Sequence, residues 1–262
     1  GFLPDSAEYR IRIGTYGEQT ALDLLSVSGD VALNGNDQFY QVIDRETHLL
    51  APARVKVAAL NGDISGSLMQ APGNSGQLDL LAAGSITLGT ASVKQLDLPA
   101  NVLPSLRNPI KDVNFELISL LNAAPARKHT ATSWHDDDNE PSRLIALRGD
   151  IAGQSGQDNY GDLNEAVRVQ AGGDIRDLNL TVQHQNPDNL SSLIAGGDIL
   201  YTVNGGIFPS QGIKVNGPGR LELIVGGSVD LGDSKGIVSK GNPENPYLPV
   251  GGADILVMAG IT

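Results

Sequence analysis

Short runs in which apolar and polar residues alternate recur along most of this chain. Alternation with a period of two puts one set of side chains on a buried face and the other set in water, so each run predicts a half-buried β-strand. The clearest runs are Arg54-Val55-Lys56-Val57, Gln77-Leu78-Asp79-Leu80, Val167-Arg168-Val169 and Arg220-Leu221-Glu222-Leu223.

One tripeptide recurs after these strands: Gly, then Asp or Ser, then Ile or Val. The steps between successive glycines are 33, 22, 65, 24, 24, 30 and 25 residues. All but the 65 match one coil of a β-solenoid, and the 65 is interpreted as two coils plus an insertion. The copies begin at Gly29-Asp30, Gly62-Asp63, Gly84-Ser85, Gly149-Asp150, Gly173-Asp174, Gly197-Asp198 and Gly227-Ser228, with a shifted copy at Gly252-Ala253-Asp254-Ile255.

Each position of the tripeptide has a structural interpretation as a corner between strands. Glycine permits a positive φ, or a close approach between neighbouring coils. The Asp side chain can accept hydrogen bonds from backbone N–H groups two residues further on. The Ile or Val returns the chain to the core as the first residue of the next strand.

These features predict an all-β fold, a right-handed parallel β-helix of about ten coils with one side insertion. The handedness rests on the strong preference of parallel crossovers for the right hand. An antiparallel β-sandwich also has short strands and frequent turns, and it is the alternative. It does not explain why one tripeptide returns at coil-length intervals.

The chain divides into four predicted segments. Prolines interrupt the rhythm of the third segment, where a short helix beginning near Asn108 and a strand through Val113 fit about equally well. The apolar run 255–260 predicts that the β-helix continues in a longer parent chain. The segments are a lead-in strand at 1–20, coils at 21–90, an insertion with a short helix and an acidic loop at 91–142, and coils at 143–262.

The amino-acid composition argues against several classes of function. Thirty acidic and 18 basic residues give a net charge of −12, which argues against nucleic-acid binding and against a polybasic membrane anchor. No apolar run reaches the roughly 18 residues that a membrane-spanning helix needs. There is no Cys, and aromatics are only 4% of the chain, so the core must consist of small aliphatic side chains.

The repeated corner offers two candidate sites. Arg148-Gly149-Asp150 has the sequence of an integrin-binding tripeptide, but it occupies the ordinary repeat register and is interpreted as a corner. The acids at the second tripeptide position would form a column with a spacing of about 4.8 Å, which could attract cations. Ser85 and Ser228 interrupt that column, and the repeat of calcium-binding β-rolls is absent. No metal site is therefore predicted, and Ca²⁺ is the one cofactor left open.

The insertion carries the remaining candidates. His135, Asp136 and Asp138 could bind a cation, but the run lacks the ligand spacing of a calcium loop and indicates a solvated loop. Trp134 could stack on a sugar, so a carbohydrate-binding module is the alternative function. A glycan-cleaving enzyme is less favoured, since no nucleophile elbow or phosphate loop is present, and we predict no enzyme.

The order of the glycine turns also carries a resemblance to a known family. Residues 213–223, 226–232 and 236–253, with 178–199 and 135–147 before them, resemble the distal region of filamentous-haemagglutinin-type large exoproteins, the two-partner-secretion adhesins of Gram-negative bacteria. The resemblance covers most of the chain from about residue 21.

The resemblance implies a protein that is secreted to the bacterial cell surface, at the outer membrane, as a right-handed β-helix. Its expected role is structural or adhesive, in cell adhesion, aggregation or biofilm formation. The implied partners are the rest of a larger exoprotein, an outer-membrane two-partner transporter for that parent chain, and a glycan or protein receptor on a host or bacterial surface. No catalytic residues are implied.

Overall fold

The structure is a computed structural model that describes residues 11–12, 20–33, 49–70, 77–95, 112–113, 140–153, 161–203 and 210–261. Within these ranges the chain forms β-strands and no α-helix. The first sheet contains β2 (Ala21–Ser26), β5 (Arg54–Ala59), β7 (Leu78–Ala82), β10 (Ser142–Ala146), β13 (Val167–Ala171), β16 (Leu190–Ala195), β19 (Arg220–Val225) and β22 (Asp254–Ala259).

The second sheet has twelve strands, and a separate pair completes the set. The second sheet contains β3 (Val31–Leu33), β4 (Leu49–Ala51), β6 (Ile64–Gln70), β8 (Ile86–Gln95), β11 (Ile151–Ala152), β12 (Gly161–Leu163), β14 (Ile175–Arg176), β15 (Leu180–Gln183), β17 (Ile199–Leu200), β18 (Ile213–Asn216), β20 (Val229–Asp230) and β21 (Ile237–Lys240). Outside both sheets, β1 (Ile11–Arg12) pairs antiparallel with β9 (Asp112–Val113).

The number of strands in the first sheet gives the number of coils. Its eight strands lie side by side in chain order, β2-β5-β7-β10-β13-β16-β19-β22, and every neighbouring pair is parallel. A parallel neighbour requires the chain to leave one strand and return beside it in the same direction. Each strand of this sheet therefore begins one coil, and the described chain contains eight such strands.

The second sheet supplies the other two sides of each coil. After the corner, a short column is formed by β3, β11, β14, β17 and β20, and a further column by β4, β12, β15, β18 and β21. Strands β6 and β8 are long enough to belong to both columns, with a register shift between Gly66 and Leu68. All these pairs are parallel, so the chain forms a parallel β-helix and not an antiparallel sandwich.

The core consists of equivalent side chains stacked from coil to coil. The alternation within each strand turns every second residue inward, and exact register places it on its counterpart in the next coil. Each fully buried Leu or Ile stabilises the fold by about 1.5–3 kcal/mol. The main rows are Leu24-Val57-Leu80-Leu144-Val169-Leu193-Leu223-Val257, Val31-Ile64-Ile86-Ile151-Ile175-Ile199-Val229 and, beside the corner, Ala59-Ala82-Ala146-Ala171-Ala195-Val225.

Two details of the predicted repeat are wrong. The 65-residue step is one coil and not two, because Asp79 pairs directly with Arg143 and Ile86 pairs with Ile151. Sequence spacing cannot distinguish a missing coil from a long excursion between two adjacent coils. The first sheet has eight strands within the described residues, fewer than the roughly ten coils expected at about 25 residues per coil.

The shifted copy at 252–255 is not a corner either. Asp254 and Ile255 begin β22, where they pair with Arg220 and Leu221, so this glycine-containing stretch precedes the strand. The corner after β22 is at Gly260, whose backbone N–H donates to the carbonyl oxygen of Gly227 at 2.8 Å.

Little of the predicted insertion at 91–142 falls within the described residues. Strand β8 continues to Gln95, Asp112–Val113 is a strand, and β10 begins at Ser142. The rest of the predicted helix and the acidic loop up to residue 139 lie outside the described residues, and Glu140 at the end of that loop is exposed.

Candidate functional site

The second position of the repeated corner forms a ladder of hydrogen bonds between coils. From Asp30 to Asp198, each Asp or Ser side chain at this position accepts a hydrogen bond from the backbone N–H of the equivalent residue in the next coil. The donors and acceptors are Asp63 N to Asp30 Oδ1 (2.9 Å), Ser85 N to Asp63 Oδ1 (2.7 Å), Asp150 N to Ser85 Oγ (3.1 Å), Asp174 N to Asp150 Oδ1 (2.8 Å), Asp198 N to Asp174 Oδ1 (2.7 Å) and Ser228 N to Asp198 Oδ1 (2.6 Å).

This ladder replaces the local bond that the sequence suggests. An Asp bonding two residues onward would stabilise its own turn only, whereas the observed acceptor joins successive coils. Serine at position 85 is compatible with the ladder, since Ser85 Oγ accepts the N–H of Asp150 as a carboxylate would, and Ser228 ends the ladder by donating its backbone N–H to Asp198 Oδ1. Ser85 therefore does not break the hydrogen-bond ladder, although both serines interrupt the column of charge.

The ladder also explains the glycine that precedes it. The corner glycines from Gly62 to Gly227 do not have positive φ. A Cβ atom at Gly197 would lie 2.0 Å from Asp174 Oδ1, and one at Gly84 would lie 1.9 Å from Asp63 Oδ1. Glycine is required because the carboxylate of the preceding coil occupies the space of a side chain. Of the two interpretations of this glycine, close approach is the one that applies.

Arg176 binds two of the ladder carboxylates from the outer surface. Its Nη2 lies 2.5 Å from Asp174 Oδ2, and its Nε lies 3.4 Å from Asp150 Oδ2. Within the described residues, no three His, Cys, Asp or Glu side chains come together in a way that could hold a metal ion.

The tripeptide Arg148-Gly149-Asp150 lies within this ladder. Gly149 N–H donates to the carbonyl oxygen of Gly84 at 3.2 Å. The two carboxylate oxygens of Asp150 contact Asp174 N and Arg176 respectively, while Arg148 is exposed. A receptor that coordinates the Asp150 carboxylate would have to displace a bond between coils.

The other predicted binding residues belong to the predicted insertion. Trp134, His135, Asp136 and Asp138 lie outside the described residues. The carbohydrate-binding alternative rests on them and stays a prediction.

A buried polar cluster that the sequence analysis did not predict lies where the second sheet ends and the next strand of the first sheet begins, at Gln95 and Ser142. Gln95 Nε2 lies 3.0 Å from Gln70 Oε1, 3.1 Å from Ser142 Oγ and 2.9 Å from Glu165 Oε1, so three acceptors share its two N–H groups. Ser142 Oγ also donates to Glu165 Oε1, and Asn164 N donates to Gln95 Oε1 at 2.9 Å. Because its polar atoms are bonded to one another, the cluster can occupy the interior without the usual cost of burial.

A second polar contact pairs a serine with a histidine. His184 Nδ1 lies 2.6 Å from the carbonyl oxygen of Pro218, and Nε2 lies 2.7 Å from Ser191 Oγ. A carbonyl can only accept, so Nδ1 carries the proton and Nε2 accepts from the serine hydroxyl. Burial lowers the pKa of His184, an effect partly offset by the bond to Pro218. Both residues are 0% exposed, so a substrate cannot reach the hydroxyl and the pair is structural.

The sequence did carry a signal for both clusters. Ser142 and Ser191 occupy inward positions of their strands, in a row that is otherwise aliphatic: Leu22, Val55, Leu78, Val167 and Leu221. A polar residue at a position that the alternation predicts to be buried indicates a buried partner. The partner could not be named from sequence, because it comes from another coil or from across a turn.

A third buried polar group lies near the chain's one described non-glycine residue with positive φ. Asp177 has φ of 47°, and its two carboxylate oxygens accept from Thr202 N at 2.8 Å and Thr202 Oγ1 at 2.6 Å. The Tyr201 hydroxyl donates to the carbonyl oxygen of Leu178 at 2.5 Å. Burial, with a smaller effect of the Asp177 charge, raises the pKa of Tyr201, so its hydroxyl stays protonated and continues to donate.

Comparisons with protein families, with curated proteins and with solved structures find no match for this chain. The part of the chain that the structure describes contains no helix that is long and apolar enough to cross a bilayer.

Proposed function

We propose that this chain is a structural and adhesive β-helix segment of a secreted bacterial surface exoprotein of the filamentous-haemagglutinin type. The observation that carries the proposal is the continuity of the coils. Eight parallel strands stack in order, and the side-chain ladder joins the first seven of their coils, from Asp30 to Ser228. A stack bonded in this way suits a stiff element that holds adhesive regions away from a cell.

The hydrogen bonds between coils suit such a mechanical role. Strand pairing in a parallel β-helix runs along the stacking direction, and the corner ladder adds side-chain bonds in the same direction, such as Asp198 N to Asp174 Oδ1 at 2.7 Å. Neighbouring coils are therefore joined at the corner as well as along their strands.

Bead adhesion tests the proposed function. Polystyrene beads coated with the folded 262-residue chain should adhere to epithelial or bacterial cells more than beads coated with the same chain after heat denaturation. Antibodies against the chain should also label intact cells of the organism that makes it. Beads that adhere no better than the denatured control, together with labelling only after the cells are lysed, would refute the proposal.

A further inference from the structure

The outward side of the first sheet is aliphatic over its first four strands. Two columns run along it, one in the strands and one at the adjoining corner, and Leu25 is 66% exposed and Leu147 is 57% exposed. Later coils replace the corner column with glycine. We call this surface the aliphatic face, and it comprises Leu25, Ala58, Leu81 and Ile145 with Val27, Leu60 and Leu147, whereas Ala83 of the corner column is buried.

A groove crosses the aliphatic face. Ala58 stands between the larger Leu25 and Leu81 in the same column, which leaves a depression of ≈ 310 Å³. Contiguous exposed apolar surface of this kind commonly marks an interaction site in a soluble protein.

A column of alternating charge borders the aliphatic face. Asp23, Lys56, Asp79 and Arg143 lie in register on β2, β5, β7 and β10. Their charges sum to zero in a chain whose net charge is −12. The general acidity that opposes self-association is therefore absent at this surface.

The aliphatic face and its charged border are complementary to themselves. We propose that two copies of this chain associate here about a two-fold axis that runs parallel to the strands and passes between β5 and β7. This axis places the first coil opposite the fourth coil of the second copy, and the second coil opposite the third. Asp23 then faces Arg143 of the second copy, and Lys56 faces Asp79 of the second copy.

Size complementarity follows from the same axis. The small Ala58 faces Leu81 of the second copy, so one leucine enters each groove, and Leu25 faces Ile145. An interface that repeats the same patch on both subunits is the usual arrangement of a symmetric dimer.

The size of the patch sets the expected affinity. Four strands at a spacing of about 4.8 Å, each roughly 20 Å long, give about 400 Å² per copy. Stable interfaces bury roughly 800 Å² per partner, so the dimer should be weak and should depend on protein concentration and on salt.

Charge exchange between two variants is the decisive test. Sedimentation equilibrium of the 262-residue chain should show a monomer–dimer equilibrium that shifts towards monomer at high salt. Lys56→Glu and Asp79→Lys should each weaken association at least about tenfold, because each places two like-charged pairs across the axis. An equimolar mixture of the two variants should recover association, since residues 56 and 79 then carry opposite charges in both pairs across the axis of the mixed dimer.

A matched pair of substitutions in the aliphatic column provides the control. Leu81→Glu should also weaken association, whereas Ile194→Glu should not, because Ile194 occupies the same outward column three coils later, beyond the proposed interface. A chain that stays monomeric at all concentrations would overturn the proposal. The proposal would also be overturned if the mixture of the two charge variants did not recover association. It would be overturned as well if Val257→Lys, at the β22 edge, abolished association while Lys56→Glu did not affect it.

Discussion

At the scale of single residues, the corner glycine and the acid of the preceding coil act as one unit. The Cβ of an alanine at position 197 would lie 2.0 Å from Asp174 Oδ1, but 3.4 Å from the nearest backbone atom of the preceding coil, the Gly173 carbonyl carbon. The obstacle is therefore the carboxylate alone. The carboxylate has to stay there because Asp198 N donates to it.

Gly197→Ala should consequently destabilise the fold by about 1–3 kcal/mol, since the carboxylate is displaced and the Asp198 N–H loses its acceptor. The measurement is the free energy of unfolding in urea. Asp174→Ala alone should cost about 1–2 kcal/mol. Adding Gly197→Ala to it should cost little more, so the two changes are strongly non-additive.

Gly29→Ala is the matched control for that experiment. Gly29 has the same repeat position, but the nearest atom to its Cβ would be Ser26 Oγ at 3.7 Å. Its substitution should leave stability within about 0.5 kcal/mol. Equal losses at positions 29 and 197 would contradict the steric explanation of the repeat.

His184 should make stability depend on pH. Burial lowers the pKa of His184 below its ordinary 6.5, so the unfolded chain binds the proton more readily than the folded chain. The contribution of His184 is fully present above about pH 6.5. It is lost progressively as the pH falls below that value towards the folded pKa. Urea unfolding at pH 7.5 and 5.5 measures the loss.

His184→Gln separates this effect from the titration of carboxyl groups. The variant should be less stable at pH 7.5, because glutamine cannot replace both bonds of the imidazole, but it should lose less stability than the natural chain between pH 7.5 and 5.5. If both proteins lose the same amount, His184 does not contribute to the acid sensitivity.

At the scale of strands, the short column after the corner depends on its row of stacked isoleucines. Ile175 is 0% exposed and pairs with Ile151 on one side and Ile199 on the other. Ile175→Ala should destabilise the chain by about 2–5 kcal/mol through lost burial and the cavity that remains, and Ile175→Val by about 0.5–1.5 kcal/mol. Urea unfolding measures both values.

Thr87 provides the control for the isoleucine row. It lies one residue after Ile86 of the same row, points outward and is exposed. Thr87→Ala should change stability by no more than about 0.5 kcal/mol. A loss comparable to that of Ile175→Ala would show that inward and outward positions have been assigned the wrong way round.

The sequence was sufficient for the strands but not for every connection between them. Alternation at Val167-Arg168-Val169 and the glycine corner after it follow from local chemistry, and both are confirmed. The bonds of Asp174 and the partners of Glu165 join residues of different coils, and spacing alone does not reveal them. The prediction of two coils within the 65-residue step is wrong for the same reason, since only the pairing of Asp79 with Arg143 shows that the coils of β7 and β10 are adjacent.

At the scale of the whole molecule, stability should be a sum over neighbouring coils. The first seven coils contact their neighbours through the first sheet, the corner ladder and the second sheet, and the coil of β22 contacts the seventh through the first sheet. The net charge of −12 makes copies of such a stack repel one another, and the proposed association depends on the neutral border of the aliphatic face. The proposed adhesive role depends on this stack being continuous.

Distances between paired spin labels test that continuity most directly. The chain has no Cys, so introduced cysteines are unique. Asp23→Cys is combined in turn with Arg168→Cys, Ser192→Cys and Glu222→Cys, all in one outward column. Dilution with unlabelled chain removes any contribution from a dimer.

Stacked coils predict separations of roughly 19, 24 and 29 Å, which rise by about 4.8 Å with each coil. Separations that do not rise by one strand spacing per coil, or that fall between Ser192 and Glu222, would contradict the stacked β-helix and the function proposed for it.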